Sequence, residues 1–308
     1  MDRGQVKAMA RMGRFPFLVG GLFLYLMGCL CAALAGFPLS LTRILLGYAI
    51  LGPAHLSVHY SNDYFDAEGD RLGTPTGISG GTGVLVARPD LRPPAKALAL
   101  ALIGISLAMA VLASLTVLRT PLVLLFAVLG NAIGWYYSAP PVRLSSRGLG
   151  EPATALAFGF LIPGMGYLAV SGGLGLPFLA FSAPLLLLGI AFILTVEVPD
   201  AEADARSGKR TFVVRRGTLS SLRVILAASL AASLFYLVAT GLFSPGMPWG
   251  SLLFASLIPL TPALFVNLDR VRPEDPGILV AFARQEITCL ILFGAFSTLF
   301  LLLAYFLA

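Results

Sequence analysis

Nine apolar runs of about twenty residues recur along this chain, near 16–36, 42–62, 95–117, 121–138, 151–171, 176–197, 219–242, 250–267 and 285–306. A helix needs about 20 such residues to cross the hydrocarbon core of a bilayer. The runs are too long for barrel strands, and a backbone in lipid must satisfy its own hydrogen bonds. The chain therefore reads as an all-α integral membrane protein. No polar stretch is long enough to fold as a separate soluble domain, so all 308 residues are expected to form one unit, with residues 1–15 as a tail. The first run is too long for a signal peptide and lacks a clear cleavage site, so it is expected to remain as a helix. Cys29, Cys31 and Cys289 lie inside apolar runs without metal-ligand spacing and read as small buried hydrophobes.

The connections alternate in character. Some are short and nearly free of charge, such as "SGGLGLP" (171–177) and "FSPGMPW" (243–249); others are long and charged, namely 63–94, 139–150, 198–218 and 268–284. Of the 21 Lys and Arg, Arg43 and Arg119 fall on one side, which leaves 19 on the other. The basic side should be cytoplasmic, with the N-terminus inside and, after nine spans, the C-terminus outside. A net charge of +6 on such a face matches anionic lipid and calls for no nucleic acid.

Charge is scarce here, at 12% of residues, yet "SNDYFDAEGD" (61–70) carries Asp63, Asp66 and Asp70. The spacing i, i+3, i+7 places all three on one face of a continuing helix, with Asn62 beside them. Carboxylates so placed repel unless a cation joins them, and Mg²⁺ takes carboxylate oxygen while keeping positions for water or phosphate. A second cluster, Glu197, Asp200 and Asp204 in "EVPDAEAD", repeats the spacing at the same membrane face, four spans later. That repetition points to two four-helix halves plus a ninth helix. Lys209, Arg210, Arg215 and Arg216 follow the second cluster. Carboxylates, a divalent metal and cations together make a site for a polyanion, most simply a diphosphate. A single cluster of this kind is ordinarily a solvated helix end. Two on one side, each followed by Gly-rich segments, read as a site.

The patterns N-D-x-x-D-x-x-x-D in "NDYFDAEGD" (62–70) and D-x-x-x-D in "DAEAD" (200–204) resemble those of the UbiA superfamily of intramembrane prenyltransferases. "SGGTGVLV" (79–86), "YYSAPPVRLSSRGLGE" (136–151) and "DAEADARSGKRTFVVRRG" (200–217) are similar to the branch that prenylates 1,4-dihydroxy-2-naphthoate for menaquinone. The resemblance implies about nine transmembrane helices around a central cavity and a prenyltransferase of the inner membrane, its active-site loops cytoplasmic. It implies Mg²⁺, with Mn²⁺ as a substitute, holding an isoprenyl diphosphate whose allylic cation attacks an electron-rich aromatic ring. By motif position, Asn62, Asp63, Asp66 and Asp70 hold the first metal–diphosphate site, and Asp200 and Asp204 the second. Lys209 and Arg210 grip phosphate, with Tyr137 and Arg143 in the loop after the fourth span. Two stretches depart from the family: the Tyr137–Arg143 spacing differs from Y-x-x-x-K. "VEVPD" (196–200), with Glu197, stands where many menaquinone enzymes have an Asn-rich run and an Arg.

His55 and His59, one turn apart, continue the face of Asp63. H-x-x-x-H followed by Asp is compatible with a transition metal; we read both, with Glu197, as lining the cavity near the acceptor. Asn131 and Asn267 read as interhelical hydrogen bonds. Trp135, Tyr136 and Tyr137 read as an interfacial aromatic belt, with a cation-shielding ring as the second reading. "GTPTGISGGTG" (73–83) has no P-loop pattern and reads as a loop closing over the diphosphate. "RPEDPG" (272–277) reads as a turn. Two alternatives stay open: another acceptor (4-hydroxybenzoate, homogentisate, a lipid alcohol, or none, as in terpene cyclisation), and a polytopic transporter. Transporter charges, however, tend to lie at the bilayer midplane. The D-G-x-x-A-R stretch of phospholipid alcohol-phosphate transferases is absent.

Overall fold

The computed structural model describes residues 2–73, 81–243, 246–268 and 275–307. Its elements are α1 (Arg3–Met12), α2 (Phe15–Leu34), α3 (Leu41–Asp66), α4 (Val84–Ala87), α5 (Arg92–Leu115), α6 (Pro121–Tyr136), α7 (Gly150–Leu156), α8 (Ile162–Ser171), α9 (Leu176–Glu197), α10 (Ala201–Arg206), α11 (Phe212–Arg216), α12 (Thr218–Leu242), α13 (Trp249–Leu268) and α14 (Pro276–Leu307). Eight helical segments are long and apolar enough to cross a membrane, and the shorter apolar α6 brings the described segments to nine. The fifth is α7 and α8 joined by a π-helical turn, Ala157–Leu161, so the chain crosses without a break. Wide turns of this kind re-aim side chains, often at functional sites.

Both halves pack in the same order. α3 packs on α5 and α5 on α6; α9 packs on α12 and α12 on α13. α14 then packs on both α13 and α2, which gives the ninth helix its place. Apolar side chains buried at the centre, among them Tyr25, Met27, Phe126, Leu168, Phe178, Phe181 and Phe293, hold this bundle, while others such as Leu115, Leu242, Phe254 and Phe306 face outward. That inversion of an ordinary surface is the arrangement lipid demands.

The last span begins at Pro276, not near 285, and takes Arg284 and Glu286 into the helix. Asp275 starts it by accepting hydrogen bonds from the N–H groups of Gly277 and Ile278, with proline at the first helical position, where its missing N–H costs nothing. Of the expected turn at 272–277, residues 272–274 lie outside the described ones. Asn131 donates to Ser106 Oγ at 2.9 Å and Asn267 to the Leu222 carbonyl at 3.0 Å, so both tie neighbouring spans as expected. All three cysteines are free thiols; Cys29 and Cys31 are buried, and Cys289 is half-buried.

Candidate active site

The two aspartate clusters stand at helix ends that break in parallel ways. α3 ends at Asp66, and Asp70 begins a 3-10 turn, Asp70–Leu72. α9 ends at Glu197, followed by the 3-10 turn Val198–Asp200 and then α10. Pro199 removes one backbone donor at that break. Neither cluster therefore lies along one unbroken helix, as the i, i+3, i+7 spacing implied. The breaks still direct both toward one cavity of about 350 Å³, lined by Asn62, Asp63, Asp66 and Asp70 from one side and Glu197, Asp200 and Asp204 from the other. Deeper in, the walls are apolar: Leu24, Ile50, Phe126, Leu161 and Met165.

Lys209 joins the clusters. Its Nζ lies 3.0 Å from Asp204 Oδ1. Burial opposes its charge, but the carboxylates of Asp66, Asp204 and Asp70 outweigh that and hold its pKa above the usual lysine range. Asp70 shows the opposite imbalance. Burial, with the charges of Asp66 and Asp63, pushes its pKa up to about 7, against the partial relief of Lys209 and Arg14. The mouth holds more negative charge than its cations neutralise.

Three side chains to which the motif reading gave no role secure the first cluster. Arg14, in the left-handed conformation (φ 44°) between α1 and α2, places its guanidinium 2.6 Å from Asp63 Oδ1. Thr82 donates to the other Asp63 oxygen, and Ser138 donates to Asp66 Oδ2 at 2.7 Å. Gly81 sits at φ 67°, and a Cβ there would collide with the Asp70 carboxylate; glycine meets both demands. Of the loop expected to close over the site, 74–80 lie outside the described residues, while Gly73 and Gly81 flank the mouth. Glu151, also buried, accepts the Phe212 N–H and fastens the start of α7 to α11.

Among the sequence candidates, Tyr137, His55, His59 and Glu197 line the cavity. Arg210 and Arg143 do not; both side chains are exposed and absent from its walls, and so are Arg215 and Arg216. The turn at Gly208 and the hydrogen bond from the Arg210 N–H to the Ser146 carbonyl send Lys209 inward and its neighbour out. Arg143, itself in the left-handed conformation, points to the surface. Trp135 packs edge-on against Phe65, and neither it nor Tyr136 reaches the cavity.

Among the described residues, no three His, Cys, Asp or Glu side chains converge closely enough to hold a metal unaided. Mg²⁺ does not require that: it is usually bound by one or two carboxylates plus substrate phosphates and water. The donor set is oxygen-rich, and Asn62 Oδ1 and Glu197 Oε2 are buried without a protein partner. Oxygen donors beside uncompensated negative charge fit a hard divalent cation bound together with an anion.

Residues 21–290 match the family model described as UbiA prenyltransferase family. The chain belongs to that family. It is 23% identical over 252 residues to 1,4-dihydroxy-2-naphthoate octaprenyltransferase of Bacillus subtilis, covering 82% of this chain and 78% of the relative. It is 28% identical over 149 residues to 2-carboxy-1,4-naphthoquinone phytyltransferase of a Synechocystis species, covering 47% of each. A UbiA homolog from Archaeoglobus fulgidus solved with GPP and Mg²⁺ superposes with a TM-score of 0.64 at 18% identity, over 94% of this chain and 99% of that one. The apo structure of a UbiA homolog from Aeropyrum pernix K1 gives 0.65 at 20% identity, over 90% and 96%. The fold is thus that of UbiA proteins, and the chain is a prenyl-transferring membrane enzyme with naphthoate prenyltransferases among its relatives. The transporter alternative falls with that assignment.

Proposed function

We propose that this UbiA enzyme transfers an isoprenyl group from a prenyl diphosphate to an aromatic acceptor of the 1,4-dihydroxy-2-naphthoate type, in the presence of Mg²⁺ or Mn²⁺. The observation that carries this reading is Lys209, seated between two carboxylate clusters at the mouth of a cavity whose deeper walls are mostly apolar. A diphosphate suits such a mouth, and an isoprenyl tail suits the walls below it. The curated relatives, both naphthoate or naphthoquinone prenyltransferases, favour the acceptor.

On this reading Asn62, Asp66, Asp70, Asp200 and Asp204 hold the metal. The chemistry a divalent cation supplies there is neutralisation of charge on the leaving diphosphate. Lys209 grips phosphate oxygen directly. Arg14 stands ready beside it, held at the mouth by Asp63. Both Asp63 oxygens are engaged by Arg14 and Thr82, so we assign Asp63 a positioning role, a departure from direct ligation. Tyr137 borders the same mouth and shapes it from the α6 side. As the allylic C–O bond breaks, the electron pair leaves with the diphosphate and the carbon bonds to the acceptor ring, whose attacked position then gives up its proton to the released diphosphate and regains aromaticity. The rings of Phe17, Phe158 and Phe192 line the cavity and shield the cation from water. Residues 1–308 act as one domain in the cell's cytoplasmic membrane, with the N-terminus and the charged mouth facing the cytoplasm.

The test is incubation of purified protein with Mg²⁺, a labelled prenyl diphosphate and a panel of aromatic acceptors, with products read by mass. Metal-dependent prenylation, best with the dihydroxynaphthoate, supports the reading. Full turnover in excess chelator, or no product with any aromatic acceptor, contradicts it.

A further inference from the structure

His59 is a buried polar group of the cavity wall that the diphosphate site does not use. Its side chain belongs to a residue only 8% exposed, its Nε2 has no hydrogen-bond partner, and it lines the cavity. A buried polar atom without a partner is costly, and its retention calls for an occupant. His59 lies four residues before Asp63 on α3, about 6 Å deeper in the membrane at the helical rise. That is the depth at which a diphosphate held at the mouth would present its allylic carbon. The attacking ring must reach the same level.

The surroundings are built for a flat ring. His59 lies 6.1 Å from the Phe17 ring and 5.5 Å from that of His55. Phe17 meets Phe192 edge-on at 5.9 Å, and Phe192 stacks on Phe158 at 5.5 Å. All five rings line the cavity, and aromatic faces and edges at such spacings favour a further aromatic partner. α2 makes room for the histidine pair with a glycine, because a Cβ on Gly21 would run into the His55 imidazole. The charged group facing His59 is Arg14, which is occupied by Asp63.

We propose that His59 Nε2 pairs with a ring hydroxyl of the aromatic acceptor and thereby selects hydroxylated rings and fixes their orientation toward the allylic carbon. A hydroxyl can pair with an imidazole nitrogen whether it donates or accepts. The inference rests on the prenyl-transfer reading above and adds the group that recognises the acceptor. A pocket that pairs with a substrate hydroxyl discriminates strongly against analogues lacking it, since its own polar group is then left unpaired.

The experiment compares wild type, His59→Phe and His59→Gln with a dihydroxynaphthoate acceptor and its mono-methyl ethers, varying acceptor and prenyl diphosphate separately. The expected result is a fall of about 10²-fold in kcat/KM for the hydroxylated acceptor in His59→Phe. KM for the prenyl diphosphate stays within about twofold, and His59→Gln recovers part of the loss. Wild type should reject one methyl ether, and His59→Phe should no longer distinguish it from the free hydroxyl. Should His59→Phe fail to fold, the wild-type comparison decides alone: equal use of both methyl ethers and the free hydroxyl compound overturns the proposal. Unchanged acceptor kinetics in a folded His59→Phe, or a loss confined to the prenyl diphosphate KM, also overturns it while leaving the parent reading intact. Absence of transfer by wild type to any aromatic acceptor overturns both.

Discussion

Exchange of Lys209 for methionine keeps a long unbranched side chain and removes the cation that the two aspartate clusters share. Its ammonium is 3.0 Å from Asp204, with side chains 19% and 12% exposed respectively. At that distance and an effective dielectric of 20, the gross attraction is about 5 kcal/mol. Removing one partner of a largely buried pair leaves the other charge uncompensated, a cost of about 3 kcal/mol after relaxation. The metal-free variant should therefore melt several degrees below wild type in detergent. Mg²⁺ with inorganic pyrophosphate should raise the melting temperature of the variant less than that of wild type, because the lost cation weakens the hold on phosphate. In turnover, one electrostatic contact to the leaving group is worth about 10²–10³ in rate, and the KM for prenyl diphosphate should rise. The assay pairs thermal melts with initial rates over a range of prenyl diphosphate. A variant with the wild-type melting temperature and an unchanged KM would refute the placement of Lys209 as the cation shared by both clusters.

Asp66→Asn and Asp200→Asn should each lower kcat/KM for prenyl transfer by about 10²–10³ with the fold retained, and the double variant should lose less than the product of the two, since both grip one leaving group; a multiplicative loss in the rate assay would argue against a common leaving group. Burial and neighbouring carboxylates raise Asp70 to about 7 in the folded protein against 3.8 ordinarily, so the folded state holds this proton more tightly than the unfolded one. Its contribution to metal-free stability is full below about pH 4 and is lost as pH rises through about 7, and melts with saturating Mg²⁺ and pyrophosphate should show a flatter profile. A cysteine at exposed Ala205 should be labelled from the cytoplasmic side only and one at exposed Gly246 from outside only; labelling of both from one side would contradict nine crossings.

The spans were legible because lipid leaves so little freedom: length and hydropathy fix a crossing helix, and eight of the nine begin within about three residues of where the apolar runs place them, as at Leu176 and Thr218. The start of α14 was hidden because Arg284 interrupts the hydropathy, while the true start rests on a cap, Asp275 before Pro276. The aspartates were legible from spacing, though the helix breaks at Asp66 and Glu197 were not. Pro199 signals the second break, and no comparable residue signals the first. Arg14 was counted only for its charge, since nothing local shows that a left-handed residue before α2 turns its guanidinium toward Asp63, 49 positions later. Arg210 shows the converse. Its neighbour Lys209 shares its charge and its motif, yet only one of two adjacent side chains can enter the mouth.

The central claim is that both aspartate clusters hold one diphosphate through divalent cations. The most direct measurement is the anomalous scattering of Mn²⁺ in a crystal of this protein with a non-hydrolysable prenyl thiolodiphosphate. The account predicts Mn²⁺ between the Asp66–Asp70 turn and the Asp200–Asp204 turn, with the diphosphate between the clusters and within reach of Lys209. Mn²⁺ bound elsewhere, or a diphosphate seated away from Lys209 with no metal at either cluster, would contradict it.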